Sequence, residues 1–304
     1  MARKRKTVDL DRDNDIAPGL VAKTKKRLVV AGGRSHPALS ADVAEAIGTE
    51  LVPTEYRTFA SGEILTRFEV SIRGCDFFLI QSFGPPVNEW LMETLIMLDA
   101  AKRASAKRIT VVAPYYPYSR QDKKSRGREP ISARLVADLL KTAGADRVMS
   151  VDLHAAQIQG FFDGPVDHLF AKPVLLEYFE RTLSAEDRAK LTVVSPDTGR
   201  VRVADTWSDS LGAPLAIIHK RRDPNVANQV TVNEIVGQVD GRVCLLVDDM
   251  IDTGGTIVKA AEALKKNGAE RVIVAATHAI FSDPAAQRLQ SDAIDEVVVT
   301  DTVP

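Results

Sequence analysis

Short apolar runs alternate with helical patterns along most of this 304-residue chain. The runs are residues 28–31, 77–81, 109–113, 148–151, 192–195, 215–218, 243–247, 272–276 and 297–299. Helical patterns lie between most of them, for example at residues 89–103, 132–143 and 256–267. Gly144 and Gly268 stand where two of these helices should end, because glycine commonly terminates helices. Strands that alternate with helices favour parallel sheets covered by helices, so the sequence predicts an α/β fold.

The length of the chain and a short internal echo predict two α/β units. A chain of 304 residues exceeds a typical single domain. Residues 147–152 and 242–248 are both apolar runs that begin with arginine and end in aspartate, which suggests two related halves. Residues 1–26 are charged and lack hydrophobic periodicity, so we predict a disordered arm before residue 27.

Composition limits the class of protein. A hydrophobic content of 45% with a charged content of 27% is typical of a globular protein in water. The net charge of −1 gives no general attraction to nucleic acid or anionic membrane, and no apolar run approaches the length of a membrane span. The basic residues 1–6 are not followed by an apolar signal-peptide core, so we expect a cytoplasmic protein. Cys75 and Cys244 show no metal-binding spacing, and we expect Cys244 to be a buried free thiol.

An acidic, glycine-containing turn follows the apolar run 243–247. It contains Asp248, Asp249 and Asp252, then Thr-Gly-Gly-Thr at residues 253–256, and a helical pattern comes next. The glycines allow the backbone to approach a phosphate, whose charge the amide groups and the helix N-terminus stabilise. Carboxylates suit sugar hydroxyls or a metal ion. The turn therefore predicts a site for a phosphorylated polyol such as a ribose phosphate; the alternative is an acidic turn that serves solubility.

Aromatic and cationic residues follow the run 109–113. They are Tyr115, Tyr116, Tyr118, Arg120, Lys123, Lys124, Arg126 and Arg128, with Gln121 among them. Aromatic rings beside guanidinium groups suit a nucleobase and its phosphates. The alternatives are a solvated charged loop or a nucleic-acid patch, and the near-neutral net charge weakens the second of these.

Candidate metal ligands follow two further runs. Asp152 and His154 come directly after the run 148–151, at a strand end where side chains face a cleft. Asp163 and Asp167 lie further on and could simply cap turns. Asp197 follows the run 192–195 and is either a metal ligand or a helix N-cap.

A basic segment, His-Lys-Arg-Arg at residues 219–222, follows the run 215–218. Lys220 and Arg222 suit stabilisation of charge in phosphoryl transfer, and the alternative is an exposed basic loop. Together the strand ends indicate transfer from a nucleoside triphosphate to a phosphosugar. The sequence contains no Walker A motif and no GxGxxG, so P-loop and Rossmann sites are not expected.

Seven motifs in order resemble the ribose-phosphate pyrophosphokinase family, from about residue 27 to the C-terminus. They are Phe59-Ala-Ser-Gly-Glu63, Asn88-Glu-Trp-Leu-Met-Glu93, Tyr118-Ser-Arg-Gln-Asp-Lys123, Val151-Asp-Leu-His-Ala155 with Gln157-Ile-Gln-Gly-Phe-Phe-Asp163, Ser195-Pro-Asp197, His219-Lys-Arg-Arg222 and Val247-Asp-Asp-Met-Ile-Asp-Thr-Gly-Gly-Thr256. The resemblance implies a transferase of nucleotide biosynthesis. It would use Mg²⁺ and move the pyrophosphoryl group of ATP to the anomeric hydroxyl of ribose 5-phosphate, with AMP as the second product.

The resemblance also implies the architecture. The fold would be two type I phosphoribosyltransferase-like domains, residues 27–165 on the ATP side and residues 166–304 on the ribose 5-phosphate side. The usual assembly of the family is a homohexamer built from dimers, with each ATP site shared between subunits. Members usually continue beyond the equivalent of Pro304, so we expect the second domain to lack the family's C-terminal tail, which in many members helps to form an allosteric phosphate or ADP site with the equivalents of Ser71 and Arg73.

Residue roles follow from the same resemblance. ATP would contact Arg120 and Gln121, and also Phe59, Ser61, Gly62 and Glu63 of a neighbouring subunit. Mg²⁺ would be held by His154, Asp197 and Asp152, with Asp163 and Asp167 completing an acidic signature. Lys220 and Arg222 would be catalytic. Ribose 5-phosphate would contact Arg222, Asp248, Asp249, Asp252, Thr253, Gly254, Gly255 and Thr256.

Two alternatives stay open at this stage. A phosphoribosyltransferase would need the turn at residues 252–256 but neither the Arg120–Gln121 loop nor the Asp-Leu-His motif. A catalytically silent partner of a true synthetase would be expected to lose the basic segment 219–222, which is intact here. One departure from the family bears on ATP binding, because Ser61 stands where the family often has aspartate.

Overall fold

A computed structural model describes residues 27–221 and 232–304 of the protein. Its strands are β1 (Leu28–Gly32), β2 (Thr54–Thr58), β3 (Ile64–Phe68), β4 (Asp76–Ile80), β5 (Arg108–Ala113), β6 (Arg147–Val151), β7 (Val166–Leu169), β8 (Leu191–Ser195), β9 (Leu215–Arg221), β10 (Val232–Val236), β11 (Val243–Ile251), β12 (Arg271–Ala279) and β13 (Glu296–Thr300). Its helices are α1 (Pro37–Ala46), α2 (Val87–Arg103), α3 (Ser132–Ala143), α4 (Lys172–Thr182), α5 (Ala185–Ala189), α6 (Val201–Leu211), α7 (Gly255–Lys266) and α8 (Ala285–Arg288), with a 3₁₀ turn at Ala156–Gly160. The predicted N-terminal arm lies outside the described residues.

The first sheet is parallel and has the strand order β1-β4-β5-β6-β7. Phe77, Leu79 and Phe83 are fully buried in its core, where Met97 and Leu98 of α2 and Leu140 of α3 join them. β2 and β3 form a separate antiparallel hairpin. This hairpin was not predicted from the sequence, because its strands are partly exposed and carry few consecutive apolar residues.

The second sheet has the order β10-β9-β8-β11-β12-β13, parallel except for the β9–β10 pair. β11 shows why this sheet is covered on both faces. Val243, Leu245 and Val247 belong to one hydrophobic cluster, while the intervening Cys244 and Leu246 belong to another. A strand buried on both faces is apolar at every position, which explains the continuous apolar runs in the sequence. The predicted α/β fold, with two mostly parallel sheets flanked by helices, is confirmed.

Two local predictions are also confirmed, the helix ends at Gly144 and Gly268 and the buried thiol of Cys244. α3 ends at Gly144, whose φ of +126° favours glycine, and Gly268 follows the C-cap of α7 with a φ of +87°. Cys244 is a buried free thiol, and burial raises its pKa to about 11. None of the described helices is both long and apolar enough to span a bilayer.

The two sheets meet through buried polar contacts. His36 Nε2 lies 2.8 Å from the carbonyl oxygen of Asp301, and the Ser82 hydroxyl donates to the carbonyl of Thr302. His278 at the end of β12 is 1% exposed, and its Nε2 lies 3.0 Å from the carbonyl oxygen of Val151 at the end of β6. These contacts bring the carboxyl end of β6 in the first sheet next to the second sheet.

The edge strand β7 sets the extent of the first sheet. β7 spans Val166–Leu169 and pairs with β6, so the first sheet continues four residues beyond the predicted domain boundary at residues 165/166. α4 begins at Lys172, and the strands from β8 onward belong to the second sheet.

Candidate functional site

A polar cleft lies at the carboxyl ends of β6, β8 and β11, where an α/β sheet usually binds its ligand. It has a volume of about 170 Å³. Its lining consists of Arg120, His154, Asp197, Arg200 and the consecutive residues 248–257. Residues from four loops distant in sequence therefore share one cleft, because parallel strands end at one edge of each sheet and these edges of the two sheets meet here.

The acidic turn forms one wall of the cleft. β11 continues to Ile251, past the predicted strand end at residue 247, because Asp248 and Met250 still pair with β12. Gly254 has a φ of +73°, which turns the chain into α7 at Gly255. The first amide groups of a helix have no acceptor within the helix, so this N-terminus offers hydrogen-bond donors and a positive dipole end to an anion.

A compact ionic cluster joins the two sheets at the floor of the cleft. Nδ1 of His154 lies 2.8 Å from Oδ2 of Asp249. Nη2 of Arg200 lies 2.6 Å from Oδ1 of Asp249 and 2.6 Å from the same His154 nitrogen, while Nε of Arg200 lies 3.3 Å from Oδ1 of Asp248. In the tautomer whose Nδ1 carries the proton and donates it to Asp249, Nε2 keeps the lone pair that a ligand can use.

The two adjacent aspartates of this cluster differ in their ionisation. Burial raises the pKa of Asp248, and the neighbouring charge of Asp249 adds to this rise. Burial also disfavours ionisation of Asp249, but the hydrogen bond from His154 and the charge of Arg200 outweigh it and lower the pKa of Asp249. Asp249 is therefore the charged anchor of the cluster, and Asp248 is the carboxyl group that ionises with more difficulty.

Arg120 connects this cleft to a second, larger cavity. Its Nη1 lies 2.6 Å from Oδ2 of Asp252, with both side chains partly exposed. The second cavity has a volume of about 760 Å³. It is lined by Phe83, Pro85, Pro86, Val87, Asn88, Tyr115, Tyr118, Ser119, Arg120, Gln121, Asp252, Ile280 and Ser282. The predicted combination of aromatic rings and a guanidinium group therefore lies beside the acidic turn.

The carboxylates of two proposed metal ligands, Asp152 and Asp197, already accept hydrogen bonds from other groups of the protein. Oδ2 of Asp152 accepts hydrogen bonds from Ala171 N at 3.0 Å and from Thr277 Oγ1 at 2.7 Å. Oδ1 of Asp197 accepts hydrogen bonds from Gly199 N at 2.8 Å and Arg200 N at 3.2 Å, so this carboxylate caps the turn before α6. Each of these aspartates keeps its other oxygen for a further partner.

The remaining acids lie away from the cleft. Asp167 is on the edge strand β7 and pairs with Arg147 at 2.7 Å. Asp163 is exposed and lines a different cavity with Arg134 and Lys141. Within residues 27–221 and 232–304, no group of three or more His, Cys, Asp or Glu side chains is gathered around a possible metal position.

The predicted shared ATP residues sit at the tip of the β2–β3 hairpin. Phe59 is 38% exposed, and the Arg57 guanidinium lies 4.8 Å from the centre of its ring. The hydroxyl of Ser61 donates to Oε2 of Glu63 at 2.8 Å, and Gly62 takes a φ of +89° between them. These residues form one exposed group and do not line either cavity beside Arg120.

The predicted catalytic pair, Lys220 and Arg222, lies at the end of β9 and directly after it in the sequence. The backbone of Lys220 pairs with Asn233 across β9 and β10, whereas Arg222 lies outside the described residues. Arg200, by contrast, is a cleft residue that was not predicted from the sequence. Arg200 precedes α6, and nothing in the local spacing indicates that its side chain reaches two carboxylates about fifty residues away in the chain.

Comparison with known proteins gives consistent matches over most of the chain. Residues 28–144 match the model of the N-terminal domain of ribose phosphate pyrophosphokinase, and residues 222–304 match the phosphoribosyl synthetase-associated domain. The chain is 62% identical over 286 residues to a ribose-phosphate pyrophosphokinase of Streptomyces coelicolor, covering 94% of this chain and 87% of that protein. It is 58% identical over 281 residues to one from Mycobacterium tuberculosis, covering 92% of this chain and 85% of that protein.

A solved structure matches the fold as well. The crystal structure of phosphoribosylpyrophosphate synthetase from Mycobacterium smegmatis superposes with a TM-score of 0.85 at 57% sequence identity. The match covers 92% of this chain and 90% of that one.

Proposed function

The chain belongs to the ribose-phosphate pyrophosphokinase family, and we propose that it transfers the pyrophosphoryl group of ATP to the anomeric hydroxyl of ribose 5-phosphate. The products are 5-phosphoribosyl 1-diphosphate and AMP. The main support for this proposal is that two chemically different cavities lie side by side and share lining residues. An acidic turn at a helix N-terminus lies beside an aromatic, cationic cavity, and Arg120 and Asp252 belong to both.

The acidic turn has the chemistry that a sugar phosphate requires. The backbone amides around Thr253, Gly254, Gly255 and Thr256 bind the 5-phosphate at the start of α7. Asp252 and Asp248 accept hydrogen bonds from ribose hydroxyls, and Asp249 supports them from its contacts with His154 and Arg200. We assign to Arg222, which lies outside the described residues, the role of adding positive charge to the bound ribose 5-phosphate.

The larger cavity suits the nucleotide. Arg120 and Gln121 contact ATP, and Tyr115 and Tyr118 supply apolar surface beside them. Gln121 is held in place because its Oε1 accepts a hydrogen bond from Ser132 Oγ at 2.6 Å. Phe59, Ser61, Gly62 and Glu63 complete the site from a neighbouring subunit, which requires a homo-oligomer such as a hexamer built from dimers. The exposure of Phe59 supports this arrangement.

The donors in the cleft fit a divalent cation that prefers oxygen and imidazole ligands. His154 and Asp197 line the cleft and offer Nε2 and the carboxylate oxygen that does not bond to the protein, whereas Asp152 lies outside the cleft lining and is the less direct candidate. Asp163 and Asp167 lie at other surfaces and are weaker candidates. Mg²⁺ bound here neutralises charge on the phosphate oxygens of ATP. ATP, ribose 5-phosphate and Mg²⁺ are all available in the cytoplasm, where we propose that the enzyme acts.

The reaction is a single displacement at the β-phosphorus. The anomeric oxygen forms a bond to this phosphorus, the bond to the oxygen that bridges to the α-phosphate breaks, and AMP leaves with that oxygen. The hydroxyl proton passes to solvent, since a loose transition state does not demand a strong base. Lys220, Arg222 and Arg120 stabilise the phosphoryl oxygens, and exclusion of water from the cleft limits hydrolysis of ATP.

AMP formation from ATP tests the proposal directly. We expect AMP release to require both ribose 5-phosphate and Mg²⁺, and phosphorus NMR should detect a sugar diphosphate in equal amount. Arg120→Gln should lower kcat/KM by about 100-fold, comparable to the loss of one preorganised donor. AMP or ADP release that is independent of ribose 5-phosphate would indicate a hydrolase or another kinase.

A matched control separates this effect from a general loss of charge. Arg103 is an exposed arginine at the end of α2 that pairs with Asp99 four residues earlier. Arg103→Gln should leave kcat/KM within about twofold of wild type, because exposed ion pairs on a helix contribute little. An equal loss in both variants would contradict the assignment of Arg120 to ATP.

A further inference from the structure

Arg200 is a nearly buried cation at the centre of the cleft. Its side chain is 14% exposed, and the side chains of Asp248 and Asp249 are 15% and 8% exposed. Each nitrogen of the guanidinium group has a partner. Nε meets Asp248 at 3.3 Å, Nη2 meets Asp249 at 2.6 Å, and Nη1 donates to the carbonyl oxygen of His154 at 3.2 Å. A guanidinium group with all three nitrogens engaged in this way is not arranged to receive a substrate phosphate.

The contacts of Arg200 cross between the two sheets. His154 follows β6 of the first sheet, whereas Asp248 and Asp249 lie on β11 of the second. Arg200 itself precedes α6 and enters between them. Its side chain thus fixes the position of the His154 loop relative to the acidic strand, and the His154 ring is additionally bonded to Asp249.

The charge balance of the cluster also depends on Arg200. Burial removes water from both carboxyl groups, and their negative charges repel each other. A cation between them offsets both costs. In many phosphate-transferring sites a divalent ion does this, but here a guanidinium group reaches both carboxyl groups from the protein itself. Guanidinium remains charged at all relevant pH values and presents a planar set of donors that suits carboxylates.

We propose that Arg200 is a positioning residue that acts as a built-in counter-cation. It holds Asp248, Asp249 and His154 in their binding geometry and keeps a divalent ion out of the position between the two aspartates. Metal ions then enter only at the outer donors, His154 Nε2 and Asp197, together with substrate. The inference rests on the proposed function for what the cleft binds, but its central test needs neither substrate nor turnover.

The test measures binding of Mn²⁺ alone by electron paramagnetic resonance. Arg200→Met removes the charge and keeps the length of the side chain, so the two aspartates should recruit the ion. We expect Mn²⁺ to bind this variant at least tenfold more tightly than wild type, which corresponds to about 1.4 kcal/mol. Arg200→Lys keeps one positive charge and should stay within threefold of wild type.

Ribose 5-phosphate binding in the absence of ATP provides the second readout. By calorimetry, Arg200→Met should bind the sugar phosphate at least tenfold more weakly than wild type at low Mg²⁺, and the difference should shrink as Mg²⁺ is raised. If wild type itself fails to bind ribose 5-phosphate, the proposed function fails. If wild type binds it and the Mn²⁺ and ribose 5-phosphate affinities of Arg200→Met are unchanged, the role of Arg200 is refuted.

Controls distinguish a positioning role from simple destabilisation. Arg202 is exposed two residues further along, so Arg202→Met removes a nearby charge outside the cluster and should leave both affinities unchanged. If Arg200→Met does not fold, the same Mn²⁺ titration is carried out on Arg200→Gln, which also removes the positive charge. A neutral variant that folds only when Mn²⁺ is added supports the counter-cation role. One that stays unfolded at every Mn²⁺ concentration overturns it.

Discussion

Replacement of Asp152 tests how the two halves of the protein are joined. This residue follows β6, and its Oδ2 accepts one hydrogen bond from Ala171 N, which precedes α4, and another from Thr277 Oγ1 on β12. Ala171 is 7% exposed and Thr277 is 4% exposed, so neither donor has easy access to water. Asp152→Ala would leave both donors without this acceptor.

The expected cost follows from these contacts. A hydrogen bond to a charged group contributes about 1.5–3 kcal/mol, and the lower end applies because Asp152 is only partly buried. Asp152 also has a φ of +40°, a conformation that costs alanine about 1 kcal/mol. We therefore expect Asp152→Ala to lose about 4 kcal/mol. Asp152→Asn keeps an acceptor oxygen and tolerates positive φ, so it should lose only about 1 kcal/mol.

Thermal unfolding monitored by circular dichroism checks this difference. At about 2–4 °C per kcal/mol for a protein of this size, Asp152→Ala should lower Tm by about 8–16 °C. Thr277→Val removes one donor of the same pair, so its effect should be smaller and should not add fully to that of Asp152→Ala. A loss of less than about 1 kcal/mol, combined with loss of Mn²⁺–ATP binding, would refute the structural role and identify Asp152 as a metal ligand first.

Three further predictions concern Asp248, Gly254 and Lys220. Asp248→Asn should raise Tm at pH 7. Burial and the charge of Asp249 raise the pKa of Asp248 in the folded state, so its ionisation costs folding stability once the pH exceeds the unfolded pKa of about 3.9. The gain in Tm should vanish near pH 4, and a lower Tm at pH 7 would contradict this. Gly254 and Gly48 have nearly equal φ values, +73° and +74°, so replacing either with alanine should lower the free energy of unfolding by about 1 kcal/mol, measured with denaturant. Only Gly254→Ala should also weaken ribose 5-phosphate binding in calorimetry. Lys220→Ala should reduce kcat by about 100- to 1000-fold with little change in either KM, and near-normal turnover in steady-state kinetics would exclude its proposed role.

The amino-acid sequence determined the fold class and much of the cleft. Strands buried on both faces are nearly continuous apolar runs, so β8 and the first half of β11 were visible in the sequence. The turn at residues 252–256 was equally visible, because its glycines and the helix start are local features. The sequence also placed Arg120 at the carboxyl end of β5, but its contact with Asp252 joins two different sheets and therefore depends on how they pack.

Other features were decided only by the tertiary structure. Asp152 and His154 are two residues apart and looked equivalent as metal ligands, yet Asp152 bonds to Thr277 while His154 bonds to Asp249. Asp163 does not line the cleft, because the chain after the 3₁₀ turn leads away to the edge strand β7. The hairpin strands β2 and β3 were not visible because hydrogen bonds between neighbouring strands, and not continuous apolar burial, define them.

Arg200 shows the physical reason most clearly. In the sequence it is one cation near a helix start, and its spacing to Asp197 indicates no more than a turn. Its role arises because two sheets, folded from segments about fifty residues to either side, bring a histidine and two carboxyl groups to the same guanidinium group. Local propensity depends on neighbours in sequence, whereas the charge and hydration of a buried group depend on neighbours in space.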